Sequence, residues 1–259
     1  MVLLHLVDLD PQLAALRPLG GFFALRTPLP GAGEPPRPLP TLAQAYGEIP
    51  DGAAADAHAD PLTFRVRKVN RALRAPEDRI GASVAQQGLA ARLWSVTLGC
   101  AVLYGSMPDL SPRLLRWDPD AGAPDDLWLT QVRPRPADAA TVAATVLDGH
   151  LEPLSTALRV RHPVAPGLLR GNAASALAST ARLLDQWAHT RGRPDIAAHA
   201  RALTAELLAH PLLADTGALT GTAFRRRSCC LYYRVPDGGV CGDCCFTRPP
   251  RSSPHAPSG

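Results

Sequence analysis

Lysine is nearly missing from this chain of 259 residues: Lys68 is the only one, and arginine carries the rest of the positive charge. The formal net charge is only +4. No basic stripe of the kind that tracks a phosphate backbone is present, so nucleic acid is not an expected partner. Aromatic residues are sparse, at 5%, and no run approaches the roughly 18 consecutive apolar residues of a membrane span. The longest candidate, Leu93 to Tyr104, is interrupted by Ser95, Thr97 and Gly99, so no integral membrane segment is expected. Met1 to Asp8 carry neither a basic stretch nor a cleavage signature, which argues against a secretory leader. The expected location is the cytoplasm, either free or peripheral to the inner face of the membrane. Thiols stay reduced there, and clustered cysteines then point to metal or redox chemistry rather than disulfides.

Two further absences narrow the chemistry. No glycine-rich phosphate loop or dinucleotide fingerprint occurs, which argues against direct use of a nicotinamide or flavin. The eight histidines are scattered without metal-ligand spacing, so none stands out as a ligand or base.

What is abundant is Ala, Leu and Arg, the leading helix formers, together with 27 prolines that must break the helices into segments. The expected fold is α+β: a predominantly helical body with short strands, followed by a C-terminal cysteine hairpin module. An apolar-periodic stretch runs from Leu13 to Leu25, and Thr27 to Pro40 reads as an extended connection. A short helix is expected near Leu42–Tyr46 and a strand over Leu62 to Val69, where Phe64 and Val66 alternate with Arg65 and Arg67. Ile80 to Tyr104 becomes apolar on all sides, the pattern of a central buried helix. Leu114–Trp117 and Leu127–Val132 read as neighbouring strands around a turn-rich Asp118–Asp126. Helices are expected from Asp138 to Leu147, running on past a break at Gly149 toward Arg159, then over Gly167–His189 and Pro194–His210. The expected organisation is an N-terminal region over 1–79, a helical core over 80–222, a cysteine module over 223–247 and a Pro/Ser-rich tail over 248–259.

Five of the six cysteines lie between 229 and 245, in the spacing C-C-x10-C-x2-C with Cys245 directly after the last member. Leu231 to Val235 reads as a strand, and Pro236-Asp237-Gly238-Gly239 as a turn that folds Cys229 and Cys230 back on Cys241, Cys244 and Cys245. Gly242 would keep the second knuckle uncrowded. Thiolates are soft, charged donors suited to zinc, Cu(I) or iron–sulfur clusters. Spacing alone does not choose among them, although an adjacent Cys-Cys pair is awkward in a closed zinc knuckle. Cys100, inside the most apolar helix, reads as an inert core thiol.

The run Phe224-Arg-Arg-Arg-Ser-Cys-Cys-Leu-Tyr-Tyr-Arg-Val-Pro-Asp-Gly-Gly-Val-Cys-Gly-Asp-Cys244 resembles the C-terminal signature of the FhuF-like ferric siderophore reductases. Gly88–Ser95, Pro108–Leu110 and Arg170–Ser175 are also similar to that family. The resemblance implies a [2Fe–2S] cluster on Cys229, Cys230, Cys241 and Cys244, with Cys245 an extra thiol and a substitute fourth ligand. It implies a one-electron ferric-siderophore reductase, an enzyme supplied by an external donor such as a ferredoxin. Arg225, Arg226 and Arg227 would offset the negative site and attract an anionic chelate, and Trp94, otherwise a core residue, would line a substrate cleft. Two rival readings are a four-cysteine zinc module that stabilises a binding protein, and a redox-sensing regulator.

Overall fold

The computed structural model describes residues 13–27, 38–47 and 60–250. Seven α-helices dominate these residues, accompanied by three two-stranded antiparallel sheets. The expected tail over 248–259 and the connection at Thr27–Pro40 fall largely outside the described residues.

Helix α1, Leu42–Tyr46, is short but firmly begun. The Thr41 hydroxyl accepts the Gln44 backbone N–H at 3.1 Å while Gln44 Oε1 accepts the Thr41 N–H at 2.7 Å, a reciprocal capping box. Substituting Thr41→Ala is expected to cost about 1 kcal/mol, readable as a lower urea midpoint at constant slope.

Residues 62–69, expected as a strand, belong instead to helix α2, Pro61–Leu73. Asp60 caps it by accepting the Leu62 N–H at 3.0 Å, and Pro61 occupies the first turn, where its missing donor is harmless. The helical period then selects Leu62 and Val66 for burial and leaves Phe64 exposed. The alternation of Phe64 and Val66 with Arg65 and Arg67 was incidental to packing.

Helix α3, Asp78–Tyr104, is the central element and is closed by Gly105 in the left-handed conformation (φ 68°). It packs against α2 and against α6, Pro166–Thr190. Arg92 in its middle forms a buried ion pair with Asp126 at 2.9 Å and also donates to the Gly21 carbonyl. These bonds tie the turn-rich 118–126 segment and the N-terminal segment to one helix. Ser106–Pro108 (β1) pairs with Pro134–Pro136 (β4), and Leu115–Trp117 (β2) pairs with Leu127–Leu129 (β3) in the expected neighbouring arrangement.

The helix that begins at Ala139 (α4, Ala139–Ala143) is capped by Asp138 as expected. It does not break at Gly149: the backbone widens into a π-helical stretch, Ala144–Leu151, and continues as α5, Glu152–Arg161. His150 within that stretch is buried between Tyr46 Oη and the Leu110 carbonyl, and burial pushes its pKa down to about 4. Helix α7, Pro194–Leu208, completes the body. Leu13, Leu16, Phe23 and Leu25 share one hydrophobic cluster with α3 and α6, so the described part of the N-terminal region packs into the common core. Cys100 is fully buried there, and burial pushes its thiol up to about 12. Among the described residues, no helix is long and apolar enough to cross a membrane.

Candidate metal centre

The last hairpin, Gly217–Thr220 (β5) with Ala223–Arg226 (β6), delivers the chain to the cysteines. Strand alternation turns Phe224 and Arg226 inward and Ala223 and Arg225 outward. Ser228 Oγ then donates to the Gly167 carbonyl at 3.1 Å, laying the chain on the first turn of α6. A Cβ at Gly171 would collide with that same Ser228 hydroxyl, so the helix surface must be bare at this crossing.

Leu231 to Val235 is not a strand. Leu231 takes a left-handed conformation (φ 69°) and Tyr232–Arg234 form a 3-10 turn. The reason lies in the sulfurs: the sharp bend at Leu231 aims its own N–H at Cys229 Sγ, 3.2 Å away, a bond that an extended chain would not make. The reversal at Pro236 occurs as expected, with the Gly238 N–H donating to the Val235 carbonyl at 2.8 Å. Its left-handed residue, however, is Asp237 (φ 60°) and not a glycine. Gly238 is required for another reason, since a Cβ there would lie 2.6 Å from the Tyr232 carbonyl oxygen. A Cβ at Gly242 meets nothing within 4 Å, so the steric role expected of Gly242 falls to Gly238.

Of the module's five cysteines, Cys230 is buried and the other four are partly exposed. The strongest couplings among them are pairwise, Cys230 with Cys241 and Cys244 with Cys245. Among the described residues, no three His, Cys, Asp or Glu side chains converge on a single ion position. In the first pair the Cys241 hydrogen bond holds the Cys230 thiol below its ordinary range, with the Tyr232 backbone and the charge of Arg226 acting in the same direction. Cys241 is raised correspondingly, by the same bond and by burial. Burial pushes Cys229 up to about 11.

A common pattern links the two knuckles: Cys229 Sγ accepts the Leu231 N–H at 3.2 Å and Cys244 Sγ accepts the Phe246 N–H at 3.4 Å, each donor two residues further on. Backbone N–H donors aimed at thiolate sulfur are the arrangement that tunes iron–sulfur centres.

The module is held to the body through side chains that sequence reasoning passed over. Asp243, between Cys241 and Cys244, is buried; its carboxylate accepts Ser175 Oγ at 2.6 Å, Ser179 Oγ at 3.3 Å and Arg182 Nη2 at 3.3 Å, all on α6. Ser83 Oγ on α3 donates to the Cys230 carbonyl at 2.8 Å, and Asn172 Nδ2 donates to the Ser83 carbonyl at 2.9 Å. Gly171, Asn172 and Ser175 of the Arg170–Ser175 motif thus form the seat of the cysteine module. Outside it, Arg234 pairs with Glu77 and Arg74 with Asp237.

The three consecutive arginines separate. Arg225 is exposed at the rim and donates to the Cys245 carbonyl at 3.3 Å. Arg227 turns away to Asp215, at 3.1 Å. Arg226 is 2% exposed, with Nε and Nη1 buried and without a hydrogen-bond partner, so it is a structural and electrostatic group and not a substrate contact. Trp94 is fully buried, donating its indole N–H to the Ala173 carbonyl at 3.1 Å, and lines no cleft. That expectation is corrected.

Soft sulfurs, two of them with aligned backbone N–H donors, and a buried guanidinium with two orphaned donors in the same module fit an anionic thiolate-ligated redox group. The site and fold together define a cysteine-rich module seated on a helical body. Residues 226–246 match the family described as FhuF 2Fe-2S C-terminal domain. The cofactor of this module is accordingly a [2Fe–2S] cluster. No curated protein matches the chain.

Proposed function

We propose that the protein is a cytoplasmic ferric-siderophore reductase that passes one electron to chelated Fe(III) and releases Fe(II). The carrying observation is the matched cysteine module at 226–246, in which four of the five thiols reach the surface. When bound, the cluster supplies one electron at a time with little ligand movement. Cys229, Cys230, Cys241 and Cys244 would hold it, and the backbone N–H groups of Leu231 and Phe246 would favour its negative charge. Exposed Arg225 offers a cation to an anionic chelate, with Tyr232 and Phe246 partly exposed on the same segment. The hard oxygen donors of a siderophore hold Fe(III) far better than Fe(II), so a one-electron reduction loosens the metal without a general acid or base. Consistent with that, the strongly shifted histidine, His150, is sealed in the core. With no dinucleotide fingerprint in the chain, the electron would come from an external donor such as a ferredoxin.

The test is stoichiometric. Anaerobically reduced protein, mixed with a ferric hydroxamate or catecholate chelate and a ferrous-specific chromophore, should yield one Fe(II) per cluster as the visible absorption of the oxidised form returns. A cluster that stays reduced in the presence of every ferric chelate tried would sink the proposal.

A further inference from the structure

Arg226 is the one member of the arginine run that faces inward, and its position is fixed from several sides. Its backbone N–H donates to the Asp243 carbonyl at 3.0 Å, inside the Cys241–Cys244 knuckle. Its Nη2 donates to Asn172 Oδ1 at 2.6 Å and to the Leu168 carbonyl at 3.3 Å. The guanidinium lies over Gly171, where a Cβ would approach Nη2 to 3.1 Å. Through Asn172 and Ser83 the same network reaches the Cys230 carbonyl.

What this network does not contain is a counter-charge. The partners of Arg226 are an amide and carbonyls, and no carboxylate of the described residues forms an ion pair with it. The nearby Asp243 carboxylate is committed to Ser175, Ser179 and Arg182. A buried, fully ionised guanidinium without an anion is costly, and proteins do not keep one without compensation. What it lies against is the cysteine module: its backbone is bonded inside the Cys241–Cys244 knuckle, and Asn172 and Ser83 link its guanidinium to the Cys230 carbonyl.

We infer that Arg226 is the internal counter-ion of the cluster and a positioning residue that sets its reduction potential, with Nε and Nη1 left free as donors to the thiolate-ligated group. Reduction adds one electron and one negative charge to the site. A fixed buried cation stabilises the reduced state more than the oxidised one, and arginine does so without exchanging a proton. Arg225, at the surface, shares the sequence run but is screened by solvent and salt.

The inference rests on the cluster reading and not on the identity of the substrate. The experiment is a redox titration of reconstituted full-length protein, followed by visible absorption and EPR. R226Q should lower the reduced-to-oxidised ratio at fixed ambient potential at least tenfold, equivalent to about 59 mV for one electron. R226K should retain most of the wild-type potential. R225Q should shift it less, and that smaller shift should shrink at high salt while the R226Q shift persists. Should R226Q fail to fold, N172D places a carboxylate against Nη2 and should lower the potential in the same direction. An unchanged potential in R226Q or N172D, or a cluster lost equally from R226Q and R226K, would show that Arg226 acts through packing alone and would overturn the inference. A wild-type protein without a cluster would instead fail the underlying reading, so the two failures are distinguishable.

Discussion

C244S will lose most of its cluster iron and its visible absorption, whereas C245S will keep both. The two thiols are adjacent in the chain, so proximity does not choose between them; backbone geometry does. The Phe246 N–H reaches Cys244 Sγ at 3.4 Å, repeating at the second knuckle what the Leu231 N–H does for Cys229 at 3.2 Å. A backbone N–H donated to a sulfur compensates the charge of a metal-bound thiolate. Iron-to-protein ratios after anaerobic reconstitution of the two variants decide the matter. Iron retained by C244S and lost from C245S would assign Cys245 as the fourth ligand.

D243A will loosen the module from the body by about 3 kcal/mol, roughly a hundredfold in the docked-to-undocked ratio. Asp243 is the point at which the second knuckle meets α6, and its carboxylate gathers three side chains at once. Removing it leaves the buried Ser175 hydroxyl without its acceptor and takes the counter-charge from Arg182, which keeps only its bonds to Thr222 and Ser179. The body should remain folded, because its core is built from α3, α6 and α7 without Asp243. The predicted signature is therefore selective: chelator strips iron from D243A about 100 times faster, while far-UV circular dichroism of the body is nearly unchanged. D243N, which keeps an acceptor for Ser175, should lie between D243A and wild type. Equal stripping rates in D243A and wild type would show that the module is held elsewhere.

Much of the body could be read from the chain because strong signals agreed with one another. In α3, helix propensity, an apolar surface on all sides and a terminal glycine coincide. At α2 they diverged: a run of three alternating residues suggested a strand, yet Asp60 and Pro61 were already spelling a helix start, and the Leu62–Val66 spacing supplied its buried face. The cysteines declared the site, and the Pro236–Gly239 turn declared how its halves meet. The conformation of 231–235 was hidden because Tyr and Val favour extended chain in general, and only the sulfurs explain the bend at Leu231. Composition likewise could not divide Arg225, Arg226 and Arg227, whose fates depend on strand alternation in β6. Asn172, Ser175 and Asp243 have the residue types of a polar seat, but their convergence comes from α6 and the knuckle being brought together across the fold.

The most direct test of the central claim is the visible and EPR spectrum of anaerobically purified full-length protein, before and after dithionite. The account predicts a red-brown oxidised form that becomes EPR-active on taking up one electron per two irons. A colourless protein carrying stoichiometric zinc, and still without a cluster after reconstitution with iron and sulfide, would contradict it.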